Sequence, residues 1–196
     1  MQKLPKQFRG LQMTNYIILG RFQPFHIGHE FLVKEAAKLV GEEDQITIAI
    51  GSAQAGGEML NPWFADERKA MIEQWIESQD FELKIEIVTI EDINDPPNWV
   101  EHAKQFHGEG VLVSSDEMTL ELYNNSNFET INITLQNREN LAGWRVRNSA
   151  KMVSTIYDDQ AVRQVLGESI PKPVIDWLID NDALFRLSTM VGAVVG

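Results

Sequence analysis

Apolar residues along this chain fall into short β-branched runs separated by longer stretches with helical spacing. Tyr16-Ile17-Ile18-Leu19 is a run stopped by Gly20, and Phe31, Leu32, Ala36, Leu39 and Val40 then recur on one helix face up to Gly41. The order is strand, loop, helix. It repeats with a strand at residues 46–50 and a helix from about Ala65, whose Met71, Ile72, Trp75 and Ile76 share a face. A third strand covers residues 83–90. Asp95-Pro96-Pro97 predicts a helix start leading through Trp99 and Val100, followed by a strand at Val111-Leu112-Val113 and a helical segment over 118–123. Ile131-Asn132-Ile133 reads as the fifth strand. Beyond Trp144 the spacing is helical, with Val174, Ile175 and Leu178 following Pro171 and Pro173.

Five short strands alternating with helices, without hairpin signals between them, imply right-handed crossovers and a parallel sheet covered on both faces. The expected fold is α/β, a doubly wound Rossmann-like sheet of about five strands with C-terminal helices packed on it. Residues 1–14 are polar and aperiodic and read as a flexible leader, with Met13 a candidate internal start. Residues 15–186 form one domain. Residues 187–196 are small and apolar, a tail or a self-association contact.

Composition narrows the chemistry. A length of 196 residues suits a single core. The absence of cysteine excludes disulfides, thiolate metal sites and cysteine nucleophiles. No stretch long enough to span a bilayer is free of charge, and no secretory signal is present, so a cytoplasmic protein without a membrane partner is expected. The net charge of -12 opposes binding to nucleic acid. A small phosphorylated ligand needs only a few convergent cations, and Arg138, Arg145, Arg147 and Lys151 lie close in sequence. Their bland reading is a solvated basic face.

In an open parallel sheet, ligands collect beyond the carboxyl ends of the strands near the point where strand order reverses. The segment from Gly20 to His29 follows the first strand. A helix opening near Phe25 would offer backbone N–H groups and a partial positive charge to a phosphate. His26 and His29, three residues apart, would share a helix face, and Gly28 would let a nucleotide approach the backbone. Each has a plain alternative: a histidine as cap or packing residue, a glycine as strand end.

His26-Ile27-Gly28-His29 resembles the HxGH motif of the nucleotidyltransferase superfamily. The longer string Gly20-Arg21-Phe22-Gln23-Pro24-Phe25-His26-Ile27-Gly28-His29 is similar to the archaeal-type nicotinamide mononucleotide adenylyltransferases, including the matching domain of bifunctional enzymes that also carry a Nudix domain. Further blocks agree in order over roughly residues 15–180: Gly51-Ser52-Ala53-Gln54, Asn61-Pro62-Trp63 with Glu67-Arg68, Asp92-Ile93-Asn94 with Trp99-Val100, Ser114-Ser115-Asp116, and Ile170-Pro171-Lys172-Pro173-Val174.

The resemblance implies attack of the phosphate of nicotinamide mononucleotide on the α-phosphorus of ATP, giving NAD and pyrophosphate, with Mg2+ carried by the ATP phosphates and water rather than by protein side chains. It implies His26 and His29 as donors to the triphosphate and Arg21 and Arg147 as phosphate clamps. Gly20, Phe22, Gly28, Ser114, Ser115 and Gly143 complete the expected ATP side. The nicotinamide nucleotide side comprises Gln23, Ser52, Gln54, Asn61, Arg68, Asp92, Asn94 and Trp99, with Trp99 stacking on the pyridine and Asn94 meeting its carboxamide. Without the resemblance, Trp99 reads as a core-facing helix residue, Asp92 as a turn residue and Arg68 as a solvent-exposed helix position. Self-association is also expected from the family.

One block departs. Leu141-Ala142-Gly143-Trp144-Arg145-Val146-Arg147 stands where the family shows Ile-Ser-Gly-Thr-x-x-Arg, so Ala142 and Trp144 lack hydroxyls that would meet phosphate. Two alternatives stay open. One is another HxGH transferase, acting on pantetheine phosphate, a polyol phosphate or flavin mononucleotide. The other is a non-catalytic nucleotide-binding module.

Overall fold

The odd and even residues of the apolar runs face opposite sides of a sheet, and both sides are covered. The structure, a computed structural model, describes residues 13–135 and 140–192. Its elements in order are β1 (Asn15–Gly20), α1 (Ile27–Ala37), β2 (Gln45–Ile50), α2 (Ala65–Glu77), β3 (Lys84–Thr89), a 3-10 turn (Pro96–Asn98) running into α3 (Trp99–His107), β4 (Val111–Ser114), α4 (Glu117–Asn125), β5 (Glu129–Asn132), α5 (Gly143–Val153), α6 (Asp159–Leu166), α7 (Lys172–Asp180) and α8 (Arg186–Thr189).

The five strands are parallel in the order β3-β2-β1-β4-β5, which bears out the doubly wound reading. Register aligns Tyr16 with Ile46 and Val111, and Ile17 with Thr47 and Leu112. Tyr16, Ile18, Ile46, Ile48, Ile50, Val111 and Val113 therefore point to one face, where α1, α2, α5, α6 and α7 bury Val33, Met71, Trp75, Ala150, Leu166 and Val174 against them. Ile17, Ala49 and Leu112 point the other way, onto Val100 and Ala103 of α3 and Leu120 and Tyr123 of α4. Strand order reverses at β1, so the crevice between the ends of β1 and β4 is the switch point.

Two boundaries differ from expectation. α1 opens at Ile27 rather than near Phe25, because His26 takes an extended conformation as its N-cap. The apolar tail expected from residue 187 starts inside the packing: Leu187 is fully buried, and Met190 packs against the same core. Residues 1–12, which make up most of the expected leader, and 193–196 lie outside the described residues. Among the described residues, no helix is long and apolar enough to cross a membrane.

Candidate active site at the first strand-to-helix turn

α1 begins with an unusual cap. A helix leaves its first N–H groups without partners inside it, and Ser, Thr, Asp or Asn usually accepts from them. Here the His26 Nδ1 accepts from the Gly28 N–H at 3.1 Å, and the His29 Nδ1 accepts from the His26 N–H at 3.2 Å. The two imidazoles form a reciprocal capping box and stack, with ring centroids 3.7 Å apart. His26 therefore sits at the cap, ahead of the first turn, and meets His29 by stacking rather than as a neighbour on one helix face.

This geometry sets the protonation state. An Nδ1 that accepts a hydrogen bond carries no proton, so each neutral ring holds its proton on Nε2 and can donate it outward. Protonating either ring would place an N–H against a backbone N–H. Burial, and then the Arg147 charge, push the His26 pKa down to about 4. Burial, and then His26, hold His29 well below its ordinary value.

Gly28 serves these rings. A Cβ there would lie 3.0 Å from His26 Cε1, 3.1 Å from its Nδ1 and 3.2 Å from Leu135 Cδ2. The glycine makes room for the imidazole that caps it, a reason distinct from the expected approach of a nucleotide. Gly20 has a similar role, since a Cβ would press on the Phe22 ring at 3.1 Å. Phe22 has a left-handed backbone (φ 52), and its buried ring packs edge-on against His29 at 4.7 Å. The Phe22 side chain thus packs against His29, so its expected contact with ATP would fall to its backbone.

Arg147, on α5, is 3% exposed, with one donor on the Gln23 carbonyl at 3.1 Å and its Nε without a hydrogen-bond partner. Burial and the facing Arg21 lower its pKa to about 10, so it remains a cation at neutral pH. Arg21 is exposed at the mouth of the turn. A Cβ on Gly143 would come 3.2 Å from Arg147 Nη1, which explains a glycine there. α5 starts at that glycine with Ala142 as its N-cap and no side-chain cap bond, as the missing hydroxyl requires. The Trp144 ring lies beside the Arg145 guanidinium, 5.0 Å away. Of the expected basic group, Arg138 lies outside the described residues, Arg147 is buried, and Lys151 donates to the Met190 carbonyl at 3.0 Å. They do not form a single solvated face.

Among the residues expected to meet the acceptor, Asp92 accepts from Trp99 Nε1 at 3.3 Å and from Gln54 Nε2 at 3.4 Å, while its own N–H donates to Gln54 Oε1 at 2.9 Å. Trp99 is half-buried: it packs on the second core cluster, edge-on to Tyr123, and its ring also borders a cleft of ≈ 320 Å³ shared with Leu19, Asp92, Ile93, Pro96, Thr119 and Leu122. Asn94 is exposed nearby. A larger hollow of ≈ 840 Å³ opens beside Ile27, Leu135, Leu141 and Arg145. At the end of β4, the buried Ser114 hydroxyl accepts from the Asp116 N–H at 3.0 Å; Ser115 is half-buried beside it.

Of the residues expected to meet the acceptor, Gln23 and Arg68 have side chains engaged by the main chain. Gln23 is buried, and its amide pairs reciprocally with the backbone of Trp63, donating to the carbonyl at 2.8 Å and accepting from the N–H at 3.1 Å. Asn61 is buried; its Nδ2 donates to Glu58 at 2.9 Å, and its Oδ1 has no hydrogen-bond partner among the described residues and stays available to a ligand. Arg68, expected as a ligand contact or as an exposed helix residue, is 0% exposed and hydrogen-bonded to backbone carbonyls. Burial, and then Arg21, lower its pKa to about 10. Ser52 has a left-handed backbone (φ 49), and its carbonyl is one of the atoms Arg68 holds. Sequence reasoning offers a cap only as the plain alternative for a single histidine; the reciprocal pair is not legible because the usual capping-box signature has hydroxyls or carboxylates at those positions.

The cytidylyltransferase-like family model matches residues 17–162. Curated relatives include the nicotinamide-nucleotide adenylyltransferase of Thermoplasma volcanium, 30% identical over 87% of this chain and 88% of the relative. That of Methanosarcina mazei is 28% identical over 91% and 95%. Among solved structures, a bifunctional NMN adenylyltransferase/ADP ribose pyrophosphatase from Francisella tularensis has a TM-score of 0.65 at 19% identity, over 91% of this chain. The match spans 53% of that longer chain. A further structure of the Francisella protein is complexed with AMP and a Mn ion. The nicotinic acid mononucleotide adenylyltransferase of Plasmodium falciparum has a TM-score of 0.56 at 12% identity, over 89% of this chain and 98% of that one.

Proposed function

The chain belongs to the cytidylyltransferase-like family, and on that premise we infer that it is a nucleotidyltransferase joining ATP and nicotinamide mononucleotide into NAD and pyrophosphate. The observation that carries the reading is the pair of stacked imidazoles that cap α1 at the switch point, each with Nδ1 taken by a backbone N–H and its proton left on Nε2, with His26 within the influence of the buried Arg147 charge. The curated archaeal relatives of the same length support the acceptor.

In this reaction an oxygen of the mononucleotide phosphate bonds to the α-phosphorus of ATP, and the bond from that phosphorus to the bridging oxygen of pyrophosphate breaks. No protein nucleophile takes part. The attacking phosphate is already ionised near neutral pH, so the protein aligns the two nucleotides and stabilises charge on the transferred and departing groups. In our reading, His26 and His29 donate Nε2–H to phosphate oxygens, Arg147 presents a desolvated cation from below, and Arg21 closes over the phosphates from the solvent side. The ≈ 840 Å³ hollow adjoins the turn at Ile27 and α5 at Arg145, and none of the residues assigned to ATP lines it.

A divalent ion enters as part of the ATP substrate. Among the described residues no three His, Asp or Glu side chains converge, and a carboxylate-poor site suits a metal carried on phosphates, with Mg2+ the expected ion. Trp99 and the apolar cleft beside it suit a pyridine ring, and Asp92 sets a negative charge at its edge. A carboxamide can donate to that carboxylate; a carboxylate substituent would be repelled. A cytoplasmic setting accords with ATP as substrate, and Met152, Ile156 and Tyr157, exposed at 71%, 43% and 87%, offer apolar surface for self-association.

Mixing the protein with both nucleotides should release pyrophosphate. Calorimetric binding of each nucleotide without pyrophosphate release would instead favour a binding module.

A further inference from the structure

Arg68 lies in the first turn of α2, where the helix dipole disfavours a cation, and it is fully buried. A guanidinium has five N–H donors. Each of the five here meets a main-chain carbonyl: Nη1 reaches Arg21 at 2.8 Å and Gly51 at 2.9 Å, Nη2 reaches Ser52 at 3.1 Å and Ala55 at 3.3 Å, and Nε reaches Phe64 at 3.4 Å. No donor remains for a ligand.

The carbonyls belong to two loops that share no strand. Arg21 is on the loop from β1 to the histidines; Gly51, Ser52 and Ala55 are on the loop after β2 that carries Gln54, the partner of Asp92. Each loop contains a non-glycine residue with positive φ, Phe22 beside the held Arg21 carbonyl and Ser52 at the held carbonyl itself. Such conformations cost about 1–3 kcal/mol each and persist only where surrounding contacts over-determine them.

We propose that Arg68 is a positioning residue that locks the ATP-side loop to the acceptor-side loop, so that both nucleotides depend on a side chain that touches neither. The proposal rests on the functional reading above for the identity of the nucleotides. Lysine at this position keeps the charge but has three donors on one atom and cannot span five divergent carbonyls.

The test compares wild type with Arg68→Lys and Arg68→Met, at temperatures where each is fully folded. ATP and nicotinamide mononucleotide are titrated separately by calorimetry, steady-state constants are measured, and backbone hydrogen exchange is followed over residues 21–29 and 51–55. In Arg68→Lys we expect both nucleotides to bind about tenfold more weakly, kcat/KM to fall on the order of 100-fold, and exchange to quicken in both loops. Loss confined to nicotinamide mononucleotide would overturn the proposal in favour of direct contact. A lowered melting temperature with unchanged constants would overturn it in favour of a purely structural role. Should Arg68→Met fail to fold, Arg68→Lys still decides. If wild type makes no NAD, the functional reading falls, while loop exchange and ATP binding still judge Arg68.

Discussion

Both imidazoles of the turn have Nδ1 occupied by a backbone N–H, and their chemistry follows from that. A histidine ordinarily titrates near pH 6.5, whereas His26 is pushed down to about 4. Between these values the unfolded chain binds a proton that the native ring refuses. Stability is therefore full above about pH 6.5 and falls as pH drops toward 4, by up to about 1.4 kcal/mol per pH unit from His26, with His29 acting in the same direction. Denaturant melts across that range should show the loss, and kcat/KM should keep its acid limb below the usual histidine range. A limb centred on the ordinary histidine value would contradict the assigned tautomers. His29→Ala removes both a cap and a donor, so it should cost about 1 kcal/mol of stability and on the order of 100-fold or more in kcat. His29→Gln restores an acceptor suited to a capping box and should recover the stability without the turnover. Asp92→Asn, assayed with nicotinamide and nicotinic acid mononucleotides, should narrow the preference for the former by about tenfold. An unchanged ratio would remove Asp92 as the discriminating charge. The types and spacing of His26, Gly28 and His29 were readable in the sequence. The roles of Gln23 and Arg68 were not, because their partners are main-chain atoms on separate loops, up to 47 positions away.

At the scale of elements, alternation of apolar residues was enough to find all five strands, since each β-branched run is buried on both faces or at an edge. The start of α1 was displaced because helix-start rules look for Ser, Thr, Asp or Asn, and here a histidine pair does that work. Gly28→Ala tests this element directly. Alanine favours a helix intrinsically, yet its Cβ would stand 3.0 Å from an imidazole already stacked on His29 and 3.2 Å from Leu135 on another side. The ring has little room to give, so we expect lower turnover and no gain in melting temperature. Increased stability with full activity would show that the cap tolerates the displacement. The loop from Gly51 to Phe64 was legible only as a motif, because its shape depends on the Arg68 fork and on the Gln23 pairing with Trp63.

For the whole molecule, the order β3-β2-β1-β4-β5 brings the ends of β1 and β4 together and lets α1 and α5 converge on one crevice. Arg147 reaches Gln23 across 124 positions of sequence, a contact that follows from the winding and that no local pattern announces. The net charge of -12 leaves that small cationic crevice as the place for phosphates on an acidic protein. The central claim is adenylyl transfer from ATP to nicotinamide mononucleotide. An acceptor panel tests it most directly: the protein with ATP or CTP and, in turn, nicotinamide mononucleotide, pantetheine phosphate, a polyol phosphate and flavin mononucleotide, with pyrophosphate and dinucleotide product measured. The account predicts NAD and pyrophosphate in equal amounts from ATP and nicotinamide mononucleotide, in preference to every other pair. Faster turnover of a non-pyridine acceptor, or no pyrophosphate from any pair, would contradict it.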